Sequence, residues 1–109
     1  QVNISGEASK SGFAPADVIE AAQRIASLPR LRLRGLMAIP EPEEDPQRQR
    51  LPFRQMHALY LQLQQQLPGL QIDTLSMGMS GDLDAAIAEG ATIVRVGSAI
   101  FGTRNYAKQ

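Results

Sequence analysis

Four short apolar runs alternate with segments of helical periodicity along this chain, and no other feature limits its fold so strongly. The first run, residues 2–4, gives way to Ser5-Gly6 and a polar, turn-rich stretch reaching Gly12. Pro15 marks a helix start, with Asp17 in the first turn where the helix dipole favours an anion. Val18, Ile19, Ala22, Ile25 and Ala26 then recur at helical spacing until Pro29. Residues 31–39 form the second apolar run. The Pro-Glu-Pro-Glu-Glu-Asp-Pro stretch at 40–46 reads as a charged loop without a helical option. A second helix is expected over 52–67, with Phe53, Met56, Leu59, Tyr60, Leu63 and Leu67 as its apolar stripe. Residues 72–77 read as a third strand, 82–88 as a short helix closing at Gly90, 92–96 as a fourth strand and 97–101 as one further turn.

Strands that alternate with amphipathic helices across short connections build a parallel sheet covered by helices, here in the order βαβαβαβ. An open doubly wound sheet and a barrel both satisfy that order. The barrel is preferred because small-residue turns of the kind that hold phosphate follow the last two strands, as they commonly do after strands seven and eight of a TIM-type barrel. The fold class is therefore α/β, and the four strands are read as numbers five to eight of a (β/α)8 barrel. A whole barrel takes about 250 residues, so residues 1–109 are expected to be one partial domain, its C-terminal half. Opening on Gln1 inside a strand, the chain is expected to be cut from something longer. Open strand edges pair with other chains. The expectation is thus self-association, or pairing with an N-terminal half.

Eleven basic and eleven acidic residues cancel, so no net field draws the chain to nucleic acid or to an anionic membrane. Cysteine is absent, which excludes a disulfide framework and thiolate metal ligands and suits a reducing compartment such as the cytoplasm. No apolar run approaches the roughly 20 residues of a membrane span.

The chemistry is concentrated in the last third. Residues 73–82 and 92–102 each read as a buried strand running into a Gly/Ser turn. Glycine lets backbone N–H groups approach an anion closely, so paired turns of this kind suit a phosphate. Between them Arg95 interrupts an apolar strand. A buried guanidinium without a partner is costly, so Arg95 calls for an acceptor. A phosphorylated ligand with a second polar end satisfies both features.

Four motifs carry a resemblance. Ser9-Lys10-x-Gly12, Leu33-Arg34-Gly35-Leu36-Met37-Ala38-Ile39-Pro40, Leu75-Ser76-Met77-Gly78-Met79-Ser80-x-Asp82 and Val94-Arg95-Val96-Gly97-Ser98-Ala99-Ile100-Phe101-Gly102 together resemble the pyridoxal-phosphate homeostasis proteins. That family shares its barrel with the N-terminal domain of alanine racemase. The resemblance implies a protein that binds pyridoxal 5′-phosphate and delivers it within the cytoplasm, with no known turnover reaction. It places the phosphate on Ser80, Gly97 and Ser98 and the pyridine nitrogen toward Arg95. Met77, Gly78 and Met37 would line the pocket and Lys10 would lie at its mouth. The family's Schiff-base lysine lies on an early strand that this chain does not contain. Only Lys10 and Lys108 are present, and Lys108 follows the last strand.

Arginine donates to an unprotonated ring nitrogen, which weakens carbanion stabilisation by the cofactor. No Tyr, His or Cys falls at a strand C-terminus, so the residues favour a carrier over an enzyme. Two other readings stay open: a racemase-type enzyme that borrows its acid and base from elsewhere, and a barrel enzyme acting on another phosphorylated metabolite. Plainer roles stand beside these. Ser80 could cap the helix near Asp82, and Arg95 could pair with a carboxylate at a partly exposed position. Met37, Met56, Met77 and Met79 could all be core filler. His57 reads as a helix-surface residue. Arg30, Arg32 and Arg34 lack neighbouring aromatics and read as solvated flanks of a strand, not as a nucleic-acid patch.

Overall fold

A parallel pair of strands forms the centre of the computed structural model, which describes residues 1–102. Strand β1 (Gly35–Ala38) lies beside β2 (Thr74–Met77), with Gly35 opposite Thr74 and Ala38 opposite Met77. Gly35 is required at this register, because a Cβ there would run into the Thr74 backbone. The second and third apolar runs therefore pair over fewer residues than the 31–39 and 72–77 expected.

The first and fourth runs are single bridges, not ladders. Val2 bridges Phe13, and its N–H donates to the Met37 carbonyl at 2.8 Å. Ile93 bridges Ser76, and Arg95 N–H donates to the Gly78 carbonyl at 2.9 Å. One cause lies at Thr92. Its hydroxyl accepts from Leu75 N–H at 2.7 Å, taking a donor that a regular ladder would give to a carbonyl. Even so, the four segments lie side by side in chain order, as consecutive parallel strands do.

Helix α1 (Val18–Ala26) follows a 3-10 turn at Pro15–Asp17. Helix α2 (Pro46–Gln66) is the long crossover between the strands. It starts at Pro46, not Pro52. Asp45 caps it by accepting from Gln47 N–H at 2.9 Å, and Pro46 occupies a first-turn position where no N–H is needed. The charged 40–46 stretch thus ends in a helix start. Pro52 is accommodated inside the helix despite the hydrogen bond it cannot make. Helices α3 (Leu83–Ala88) and α4 (Ser98–Phe101) follow β2 and the fourth segment.

Side-chain alternation divides the sheet into two faces. Leu36, Ala38, Leu75 and Met77 are buried, whereas Gly35, Met37, Thr74 and Ser76 are only half-buried. The buried face meets Phe53, Met56 and Leu63 of α2, with Val18 and Ala22 of α1 and Ala85 and Ala86 of α3 completing the cluster. Burying each of the large side chains contributes about 1.5–3 kcal/mol. Of the expected stripe, Phe53, Met56, Leu59, Tyr60 and Leu63 are buried, and Leu67, just past the end of α2, is partly buried.

Two further contacts join α2 to α3. His57 is half-buried against Gly90, and its Nδ1 is buried with no hydrogen-bond partner among the described residues, so it is not the surface residue expected. Arg50 and Arg54 both reach Glu89 Oε1, at 3.0 and 3.1 Å. The Arg54 hydrogen bond, reinforced by Arg50, holds the Glu89 carboxyl below its ordinary value against the opposing effect of burial. No helix among the described residues is long and apolar enough to cross a membrane.

Gly35→Ala is expected to force β1 from β2 and cost about 2 kcal/mol or more, read as a lowered midpoint in thermal unfolding. Glu89 supplies a pH test. Its folded carboxyl titrates below its unfolded value, so its stabilisation is present above the ordinary carboxylate range and is lost as pH falls through the folded pKa. Glu89→Gln is expected to melt about 2–5 °C below the parent at pH 7, with the gap closing under acid conditions, by parallel melts across pH.

Candidate functional site

Three turns gather at the C-terminal ends of the parallel segments. Gly78 ends β2 in a left-handed conformation, φ 102°, where an added Cβ would lie 2.5 Å from Ala86 Cβ. Glycine at this point lets the chain turn sharply off the sheet and under α3. Asp82 Oδ1 then accepts from Met79 N–H at 2.8 Å and closes the turn that presents Ser80.

Ser80 joins the two Gly/Ser turns directly. Its hydroxyl oxygen accepts from Gly97 N–H at 3.3 Å and from Ala99 N–H at 3.1 Å. It does not cap α3: Asp82 occupies that helix's N-cap position, and no side chain among the described residues caps it. A hydroxyl that accepts two N–H groups keeps its own proton to donate. Ser98 N–H, between the two donors, has no acceptor among the described residues. The turns therefore offer an O–H and an N–H beside each other, a suitable surface for an anion.

Arg95 lies on the half-buried face. The Ser76–Ile93 bridge puts Ile93 on that face, and Arg95 is two residues further along an extended segment. Its Nη2 donates to the Ala38 carbonyl at 3.2 Å, and its Nε is buried with no partner among the described residues. No carboxylate pairs with it among the described residues. An orphaned buried donor costs about 1–3 kcal/mol. That is the observation a ligand acceptor would resolve, and in this respect the residues fit a phosphorylated ring with a ring nitrogen.

The remaining expected residues divide. Met37 pairs with Ser76 and shares the half-buried face with Arg95. Met77 pairs with Ala38 and is fully buried in the core cluster under α2. The expectation that both methionines line one pocket is corrected by strand parity: adjacent registers project to opposite faces. Lys10 is exposed and lines a cavity of about 240 Å³ together with Ala38, Pro40, Gly78 and Met79. Lys108 lies outside the described residues. Arg30 and Arg32 are exposed, and Arg34 pairs with Asp73, whose carboxyl is held low chiefly by that guanidinium and then by the Thr74 hydroxyl. Among the described residues no cluster of His, Cys, Asp or Glu is arranged to hold a metal ion.

One contributor had no signature in the sequence. Gln49 of α2 donates from Nε2 to the Glu43 carbonyl at 2.7 Å and to the Gly81 carbonyl at 3.2 Å, tying two of the three turns together. A glutamine in a Gln- and Arg-rich stretch is indistinguishable from helix surface until the loops are in place.

Comparison with known proteins adds an independent line. The sequence model of the alanine racemase N-terminal domain matches residues 1–105. A pyridoxal phosphate homeostasis protein of Pasteurella multocida is 56% identical over 108 residues, covering 99% of this chain and 46% of that protein. One from Pseudomonas aeruginosa is 57% identical over 106 residues, covering 97% and 44%. The chain thus spans about half the length of the relatives it matches. Among solved structures, PipY of Synechococcus elongatus without PLP is 38% identical with a TM-score of 0.85, covering 94% of this chain and 47% of that one. The same protein with PLP bound matches at 38% identity and a TM-score of 0.78, covering 86% and 44%.

Ser80→Ala removes the shared acceptor of the two N–H groups. Amide hydrogen exchange at Gly97 and Ala99 is expected to accelerate about tenfold, while the β1–β2 amides keep their protection.

Proposed function

The chain belongs to the alanine racemase N-terminal domain family, and from that premise we propose that it binds pyridoxal 5′-phosphate and serves cofactor homeostasis as a carrier without a turnover reaction. Arg95 carries the reading: a guanidinium with one N–H tied to a main-chain carbonyl and one buried N–H lacking an acceptor among the described residues. In this assignment the ring nitrogen accepts from Arg95. The phosphate takes the Ser80 hydroxyl and the Gly97-Ser98 turn. Met37 and Gly78 border the ring, and Lys10 stands at the mouth of the adjoining cavity.

When bound, the cofactor supplies an aldehyde for amines and a ring that withdraws electrons. Arg95 moderates the second property, because arginine keeps its proton and the ring nitrogen stays unprotonated. Support for a carrier also comes from where the acid–base groups lie. Among the described residues the only His and Tyr, His57 and Tyr60, belong to α2 and pack on the helix side of the sheet. A racemase-type enzyme would have to draw its acid and base from another domain. The names of the relatives from Pasteurella and Pseudomonas agree with homeostasis.

The finer architecture belongs to the same proposal. The four parallel segments are strands five to eight of an eight-stranded barrel. The cofactor's lysine anchor lies in the part of the relatives this chain does not span, and the free sheet edges pair with that part or with a second copy. The compartment is the cytoplasm, in keeping with a chain that contains no cysteine.

Titration with pyridoxal 5′-phosphate, followed by visible absorbance and melting temperature, tests the reading. Saturable changes in both are expected, with affinity falling roughly ten- to a hundredfold in Arg95→Met, since a charge-assisted hydrogen bond is lost. No racemisation of amino acids should accompany binding. Absence of both the spectral and the thermal response would overturn the assignment.

A further inference from the structure

The geometry points to Gln49 as a positioning residue for the phosphate-binding turn, acting through the main chain without itself touching the ligand; this rests on the assignment of Ser80, Gly97 and Ser98 as the phosphate site. Gln49 lies in the first turns of α2, half-buried, and its amide nitrogen has two N–H groups. Both are used. One goes to the Glu43 carbonyl at 2.7 Å, in the loop that follows β1. The other goes to the Gly81 carbonyl at 3.2 Å, in the turn that follows β2. One side chain therefore fixes two loops to a 21-residue helix whose apolar face is the core of the protein.

The Gly81 contact matters because of its neighbour. Gly81 follows Ser80, whose hydroxyl receives the Gly97 and Ala99 N–H groups. Asp82 grips the same turn from the other side through Met79 N–H. A Cβ added at Gly81 would stand in open space, so no packing on that side holds the residue. Main-chain hydrogen bonds are what locate Ser80, and Gln49 supplies the one that reaches in from a rigid element. A line of contacts follows: α2, Gln49, Gly81, Ser80, then the Gly97 and Ala99 amides.

The requirement is specific to a double donor. Two carbonyl oxygens face the Gln49 nitrogen, so an acceptor there would be repelled and a thioether would leave both carbonyls without a partner. Methionine matches glutamine in length and helix propensity and carries no charge. Gln49→Met therefore removes the clamp while adding no electrostatic effect on an anion.

The test follows the amide resonances of Gly81, Gly97, Ser98 and Ala99 in isotope-labelled protein titrated with inorganic phosphate. The parent should saturate, and Gln49→Met should need about tenfold more phosphate, the effect expected from losing a pair of ordinary hydrogen bonds. Gln47→Met, on the same helix turn, should titrate like the parent. Gln49→Leu, equally uncharged and without an N–H to donate, should resemble Gln49→Met and provides a second variant should one fail to fold. A parallel titration compares pyridoxal 5′-phosphate with pyridoxal, which has no phosphate. Gln49→Met should weaken only the phosphorylated compound. Equal loss for both compounds, or a Gln49→Met titration matching the parent, would overturn the positioning role and leave the cofactor assignment standing. No saturation by phosphate or by pyridoxal 5′-phosphate in the parent would overturn both.

Discussion

The packing of α2 onto one face of the β1–β2 pair decides everything else in this molecule. Phe53, Met56 and Leu63 take Leu75 and Met77 as their partners, and with them Leu36 and Ala38. Because a strand projects alternate residues to opposite sides, that choice assigns every other residue too. Met37, Ser76 and, through its bridge, Ile93 are left on the far face, and Arg95 goes with them. A slip of one residue in β1 would bury Met37 under the helix, and one in β2 would bring Met77 out. Gly35, pressed against the Thr74 backbone, makes the close approach of the pair possible. The polar site is thus a by-product of where the apolar residues are satisfied.

Much of this was legible in the order of residues. The alternation of strands and helices, the two Gly/Ser turns and the lone Arg95 follow from composition along the chain, and the structure brings the turns into contact through Ser80. Helix α2 began earlier than its apolar stripe did. The stripe starts at Phe53, yet the helix is set by Asp45 and Pro46, which cap and open it. Capping is a local hydrogen-bonding choice, and prolines at 40, 42 and 46 concealed it. Met77 was misplaced because a motif puts residues near a site without saying to which side of the sheet they point. Thr92 and Gln49 were invisible for a related reason: each acts on a backbone group far away in sequence, and neither has a residue type that announces it.

The turns are held by different means, which bears on how firmly each is placed. Gly78 is fixed by close packing under Ala86 and Val94. The Ser80 turn is fixed by hydrogen bonds to its main chain, and Gly97 has open space about it. Rigid and adjustable elements therefore alternate within a few residues. The hydrophobic contacts give the site its position in the sheet, and the polar ones set the aim of individual donors.

Arg95 has one more consequence. Its guanidinium is held by the Ala38 carbonyl, a dipole, and by no carboxylate among the described residues, so its positive charge is not cancelled locally. The chain as a whole is neutral and has no long-range pull on anions. At the strand ends, however, Arg95 and the exposed Lys10, neither paired with a carboxylate among the described residues, act over a field range of about 10 Å at 0.1 M salt. Capture of a doubly charged anion there would then be slowed by added salt, even though the protein's overall charge gives no hint of such sensitivity.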